Sequence, residues 1–446
     1  MQEVRPNPTS RLDYRAERPI FTDFLDHARN SPDATAVISQ EATCSYQQLE
    51  EISRGIANFL KKNGATASDR VVIVSSRCAG LVYAMLGAMR AGSAFTVADI
   101  AYPPARINQI LRTLQPTFIL LCGGATVDLD HYQAGGAFPQ IVRIAESAAQ
   151  VLAEFPPGLN TLPEVNPAQP AYITFTSGST GEPKGIVTHH APLVHFIEWH
   201  TQQHALSKDD CFSLLSGLGH DPVYRDVFTP LSIGAKVICP AQSTVIDPSA
   251  LATWIHKHGI SVIHLTPPLG KIIETGAKIN ALKFDHLRYL FWGGDSLSHT
   301  LYEQISVIAP AAVSVNFYGT TETPQAMAFH RVDPAAGNAK IPLGNGIEGA
   351  QLLIVDESSQ LVREGEVGEI LIRSPYLSLG YWGDVTLTRE KFVVNPFTGV
   401  EGDICYKTGD FGTYFSDGSV NFLGRGDSQV KIRGHRIELA EIESAL

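Results

Sequence analysis

Between residues 46 and 122 the apolar residues keep changing their period. Tyr46–Lys62 places Leu49, Ile52, Ile56, Phe59 and Leu60 at helical intervals, with Gly64 as the stop signal. Arg70–Ser75 (RVVIVS) is a short continuous apolar run, the pattern of a strand buried on both faces. Ala79–Arg90 predicts a helix closed by Gly92, Ile107–Leu114 another helix, and Phe118–Cys122 a second buried strand. Upstream, Phe21–Asn30 predicts a short amphipathic helix. Strands separated by helices force α/β units with parallel pairing.

The alternation fades after the first 340 residues. Gln351–Val355, Glu369–Arg373, Val420–Leu423 and Gln429–Ile432 are short strand-like runs, and turn signals such as Asp417-Gly418 separate them. A smaller, mostly β subdomain follows the α/β part. Residues 124–170, rich in Ala, Gly and Pro, are expected to be surface connection.

Charge and cysteines bound the function. The chain of 446 residues carries a formal net charge of −11, without a Lys/Arg-rich run. That composition disfavours nucleic acid and anionic membrane surfaces as partners. Six cysteines (Cys44, Cys78, Cys122, Cys211, Cys239, Cys405) show no CxxC spacing, and residues 1–19 lack an apolar signal core. No stretch reaches membrane-spanning length. The expected location is the cytoplasm.

Chemistry concentrates first in Tyr172–Ile186, YITFTSGSTGEPKGI. A strand ends in a loop of glycines, hydroxyls and one lysine. Glycines let backbone approach an anion, hydroxyls donate to phosphate oxygens, and Lys184 adds positive charge. The loop departs from GxxxxGK[ST], and by composition alone it reads equally as a flexible surface loop. Asn316–Thr323 (NFYGTTET), Tyr406–Asp410 (YKTGD) and Gly424–Glu438 (GRGDSQVKIRGHRIE) complete the set. In order and spacing these four segments resemble the acyl-adenylate-forming enzymes, specifically the adenylation domains of nonribosomal peptide synthetases. The resemblance runs from about residue 20 to the end of the chain.

The resemblance implies a fold and a reaction. The fold is the α/β large core of an adenylate-forming enzyme, with two α/β sheet subdomains and a smaller β-barrel-like one. Residues 1–20 would be an N-terminal extension and 21–427 the large core, α/β over about 21–340 and mostly β over about 341–427. Residues 428–446 would be the hinge and the start of a truncated C-terminal subdomain, with Asp427 at the hinge. The reaction is ATP-dependent activation of a carboxylate to an acyl-AMP and pyrophosphate, with transfer to the phosphopantetheine thiol of a carrier-protein domain. Family members carry a lysine beyond the hinge, so the chain is expected to be an impaired core cut from a larger multidomain protein. Lys184 and Lys431 do not replace that lysine.

By matching motif positions, Thr176, Ser177, Gly178, Ser179, Thr180, Gly181 and Lys184 resemble the phosphate loop. Tyr318 resembles the residue that stacks on adenine, Asn316 the one bonding its amino group, and Gly319 lies in the same motif. Thr321 resembles the α-phosphate hydroxyl and Glu322 the Mg²⁺ ligand, a hard carboxylate for a hard cation. Asp410 and Arg425 resemble the ribose contacts, and His220 falls where the family often has an aromatic or His bordering the acyl carboxylate. The dense run His189, His190, His195, His200 and His204 matches no metal-ligand spacing and falls where the family has a helix bearing His and aromatic residues.

Asp221 matches the carboxylate that pairs with the substrate's α-ammonium, which implies an α-amino acid. The implied pocket lining is Asp221, Pro222, Arg225, His264, Phe291, Gly293, Phe317, Gln325 and Ala326. Arg225 is its distinctive member. A guanidinium there either reaches an acidic or strongly polar substrate side chain or folds back onto an acid such as Asp226. The set resembles the adenylation domains of α-aminoadipate reductases, with departures at Gly293, Phe317 and Gln325. The alternatives are an acyl- or aryl-CoA ligase of the same superfamily and a non-catalytic nucleotide and amino-acid binding module.

Overall fold

The computed structural model describes residues 5–15, 18–129, 138–158, 162, 164–176, 183–336, 340–426, 429–432 and 435–438. The chain divides into two units. One comprises Met1–Arg15, Thr176–Ile186 and His264–Leu446, the other Ala16–Phe175 and Val187–Ile263.

In the second unit the continuous apolar runs become the centre of a parallel sheet. Arg70–Ser75 lies between Ala94–Asp99 and Phe118–Cys122, in parallel register on both sides. Pro170–Thr176 flanks Ala94–Asp99, and Gln140–Ile144 flanks Phe118–Cys122. The helix Tyr46–Lys62 starts on a capping box, in which Ser45 Oγ accepts from Gln48 N–H and Gln48 Oε1 accepts from Ser45 N–H. Its apolar stripe packs on the fully buried helix Ala79–Arg90. Arg90 ties the two helices by donating to Glu50 Oε1 and O and to Ser53 Oγ. A second sheet in this unit pairs Thr35–Ile38 with Lys236–Ile238 and that strand with Cys211–Ser213, all parallel.

Residues 124–170 are more than surface connection. They contain the strand Gln140–Ile144 and the helix Ala148–Glu154. The strand lies outermost in its sheet and buries only Val142 and Ile144, so its apolar signal is short. The end of the helix presses Phe155 on Phe59, with ring centroids 5.2 Å apart.

The first unit holds two further strand systems. Tyr289–Trp292 pairs in parallel with Val313–Tyr318, which pairs antiparallel with Ala328–Arg331. Gln351–Val355, Gly368–Arg373 and Ile404–Tyr414 form an antiparallel sheet, joined by Phe392–Val394 and Val420–Arg425. Register shifts between Glu369 and Leu371 and between Phe411 and Gly412 bend it. Such bulges increase local twist and curl the sheet into a half-barrel. Residues 5–15 belong to this unit. Arg373 grips Asp403 bidentately at 2.7 and 2.9 Å and donates to Ser10 O and Gln351 Oε1, while Asn395 Nδ2 donates to Pro8 O. Gln429–Ile432 and His435–Glu438 form a separate antiparallel pair.

The six cysteines are all buried and free. Among the described residues no helix is long and apolar enough to cross a membrane.

Candidate active site

In the first unit the strand Val313–Tyr318 delivers Asn316 and Tyr318 at its carboxyl end, the end at which open α/β sheets bind ligands. The chain then folds tightly back. Thr320 N–H donates to Thr323 Oγ1 at 2.9 Å, Thr323 N–H to Thr320 O at 3.0 Å, and Met327 N–H to Tyr318 O at 2.8 Å. Gly319 fits because a Cβ there would lie 3.2 Å from both Ala326 Cα and Thr323 O. Gln325 takes a positive φ of 70° and is buried beside Ala326. Thr321 is half-buried, whereas Glu322 is only 1% exposed.

A buried carboxylate needs donors, or ionising it is costly. Oε1 of Glu322 accepts from the Tyr381 hydroxyl at 2.8 Å. Asp410, also 1% exposed, is satisfied at both oxygens: Arg425 donates to Oδ1 at 2.6 Å and the Tyr318 hydroxyl to Oδ2 at 2.7 Å. Register explains the ion pair, because Asp410 and Arg425 face each other across antiparallel strands. Burial, and then the Asp410 carboxylate beside it, push the Tyr318 phenol far above its ordinary pKa, so it stays a donor. Asn316 Nδ2 donates to Pro342 O at 2.8 Å.

Three predicted lining residues form an aromatic wall on adjacent strands. His264 stacks on Phe291 (5.2 Å, 28°) and Phe291 on Phe317 (5.0 Å, 13°). Gly293 continues from Phe291 and donates its N–H to Leu265 O at 3.0 Å.

His220, Asp221, Pro222 and Arg225 belong to the other unit. Asp221 is the N-cap of the helix Pro222–Ser232, with Pro222 in its first turn. Gly217 and Gly219 let two side chains close on the preceding loop: added Cβ atoms would lie 2.8 Å from His220 Cδ2 and 2.0 Å from Tyr102 Oη. Arg77 grips the loop by donating to Ser216 O at 2.9 Å, and Asp226 Oδ2 accepts from Leu215 and Ser216 N–H. Arg225 is buried at 4% exposure. Burial pulls its guanidinium below the ordinary pKa, and the carboxylates of Asp226 and Asp221 oppose that shift.

The histidine run lies mostly on the helix His190–Gln203 and builds core. His200 stacks on Phe196 at 5.0 Å, and His204 meets His200 at 5.1 Å and Trp199 at 5.6 Å. Burial lowers His189 to about 4, and burial with its neighbour His189 lowers His190 to about 3. Among the described residues no group of three His, Cys, Asp or Glu side chains forms a metal cluster.

A family model described as AMP-binding enzyme matches residues 24–382. The chain belongs to the AMP-binding enzyme family. Its curated relatives include the L-2-aminoadipate reductase large subunit of Eremothecium gossypii, 33% identical over 99% of this chain and 36% of the relative. The chain thus spans about a third of the length of that relative. A solved structure of the nonribosomal peptide synthetase FmoA3 in its AMPPNP-bound form matches with a TM-score of 0.83 and 27% identity, over 95% of this chain and 45% of that one. That of holo-PA1221, a nonribosomal peptide synthetase protein with adenylation and PCP domains bound to a vinylsulfonamide inhibitor, matches with a TM-score of 0.83 and 25% identity. It covers 97% of this chain and 72% of that one. The adenylate-forming fold expected from the four motifs is therefore shown.

Within this AMP-binding core, Thr176 is buried at the end of its strand and Lys184 half-buried at the start of Lys184–His189. Ser177, Gly178, Ser179, Thr180, Gly181 and Asp427 lie outside the described residues. The sequence reading passed over Tyr381, Arg77 and Tyr102. Each is an isolated residue without motif context, and its partner is remote in the chain; Tyr381 is 59 residues from Glu322.

Proposed function

We propose that the chain activates an α-amino acid by adenylation and passes the aminoacyl group to the phosphopantetheine thiol of a peptidyl carrier domain. The carrying observation is Asp221, a carboxylate only 8% exposed at the head of a helix, with the buried Arg225 about one turn further along the same helix. A buried carboxylate suits an ammonium and penalises an aryl or fatty acid that brings no positive charge.

Asp221 pairs with the α-ammonium and Arg225 attracts an acidic or strongly polar side chain. The relative named L-2-aminoadipate reductase supports that class. His264, Phe291 and Phe317 form an aromatic wall for the side chain, with Pro222, Gly293, Gln325 and Ala326 as further lining. Asn316 and Tyr318 receive adenine, while Asp410 and Arg425 receive the ribose hydroxyls. Gly319 keeps the adenine loop tight. The loop Thr176–Gly181 with Lys184 holds the phosphates, Thr321 donates to the α-phosphate, and His220 borders the reacting carboxylate.

Glu322 fits a hard divalent cation such as Mg²⁺, since it offers a buried carboxylate set among hydroxyl groups. When bound, that ion neutralises phosphate charge as pyrophosphate leaves. The residues of the chain otherwise position reactants and stabilise charge. The assay is ATP–pyrophosphate exchange across a panel of acids. Exchange driven by α-amino acids, strongest for acidic or polar ones, is expected. Turnover only with aryl or fatty acids would make the protein an acyl-CoA ligase, and nucleotide binding without exchange would make it a binding module.

A further inference from the structure

The segment 378–382 closes over Glu322 from two sides. Ser378 N–H donates to the Glu322 backbone oxygen at 3.0 Å, and the Tyr381 hydroxyl donates to Oε1 at 2.8 Å. Tyr381 is itself tightly placed. Its N–H donates to Thr388 Oγ1 at 2.9 Å, and that hydroxyl donates onward to Asp384 O at 2.7 Å. Gly380 permits this approach: it holds φ at +113°, and a Cβ there would lie 2.4 Å from Thr388 Cγ2. The ring meets Phe392 edge-on at 6.1 Å, and the hydroxyl lies 3.4 Å from that of Tyr406. The next residue, Trp382, donates its N–H to Gly185 O at 2.7 Å. One short stretch therefore ties Glu322 to the strand that leaves the phosphate-loop motif.

A backbone amide would satisfy a buried carboxylate equally well. A phenol held by its ring, its backbone and a neighbouring hydroxyl also fixes the direction in which the carboxylate points. Partners of metal-binding side chains act in this way, orienting the ligand without touching the ion. We propose that Tyr381 is a positioning residue that sets the Glu322 carboxylate for the divalent cation of the nucleotide complex. The inference rests on the reading of Glu322 as the cation ligand. Tyr381 acts through Glu322 and not on the nucleotide.

The test is calorimetric titration of ATP into the protein at varied Mg²⁺ and in EDTA. Tyr381→Phe keeps the ring and removes one hydroxyl. The Mg²⁺ concentration at half-effect is expected to rise about tenfold, whereas ATP affinity in EDTA changes by less than about twofold. In a Glu322→Gln background, Tyr381→Phe is expected to add nothing, because the two act as one unit. Additive effects, or an unchanged Mg²⁺ dependence beside a Mg²⁺-dependent parent, would overturn the role of Tyr381 alone. A parent whose ATP binding ignores Mg²⁺ would overturn the cation reading and this inference together. Should Tyr381→Phe not fold, Tyr406→Phe is titrated instead: it leaves the Glu322 contact and removes the hydroxyl beside Tyr381. A shift of roughly twofold or more in the Mg²⁺ dependence then supports the role, and no shift overturns it.

Discussion

The buried carboxylates of the nucleotide side, Asp410 and Glu322, are handled differently. Asp410 is neutralised by Arg425 and bonded by Tyr318, so both its oxygens are held in a fixed orientation. Glu322 accepts from a phenol, the Tyr381 hydroxyl, at 2.8 Å. Arg225 is the residue on which the proposed substrate choice turns. It is buried, and the neighbouring Asp226 takes two backbone N–H groups on Oδ2. Arg225→Ala is expected to remove the preference for acidic or polar amino acids by about tenfold or more, with ATP affinity within about twofold. Competition between paired amino acids in the exchange assay measures this. An unchanged preference would make Arg225 a structural partner of Asp226.

At the level of elements, pH acts on the start of the helix His190–Gln203. His189 and His190 are held neutral by burial, at about 4 and about 3 in the folded chain against the usual 6.5. The unfolded chain therefore binds more protons between those values and pH 6.5. Stability is full above pH 6.5 and falls as pH drops toward 4, with a slope of up to about 1.4 kcal/mol per pH unit for each histidine. Urea unfolding at pH 7, 5.5 and 4.5 reads that slope. His190→Gln preserves an acceptor for Ile20 N–H, which donates to His190 Nδ1 at 3.3 Å, and is expected to shallow the slope. A stability that stays flat across the window in the parent would contradict the assignment.

The same elements show what the sequence could carry. Runs buried on both faces announce themselves because they are continuously apolar, as in Val71–Val74 inside the strand Arg70–Ser75 and in Phe118–Cys122. The outermost strand Gln140–Ile144 buries two residues of five and leaves too little pattern to detect. The strand Ile404–Tyr414 is hidden by its own motif: Lys407, Gly409 and Asp410 are weak strand formers, held there by cross-strand pairing and bulges. Motif residues such as Glu322 and Asp410 were legible through their neighbours in sequence. Tyr381 was not, since its meaning arises only where distant segments meet.

At the scale of the whole molecule, the candidate groups sit where regular structure is interrupted, at a tight loop and at a bulge. Val313–Tyr318 ends in the tight loop that bears Thr321 and Glu322, and Ile404–Tyr414 carries Asp410 at its bulge. The net charge of −11 does not oppose the proposed nucleotide, because on that reading the anion would be met locally by hydroxyls, amides and a cation. The central claim is that an amino-acid carboxylate attacks the α-phosphate of ATP. The most direct measurement follows the oxygen: the amino acid that best supports exchange is supplied with an ¹⁸O-labelled carboxylate, and the acyl product is trapped with hydroxylamine. AMP carrying one ¹⁸O atom is the predicted result. Unlabelled AMP, or ADP with the label in inorganic phosphate, would contradict it.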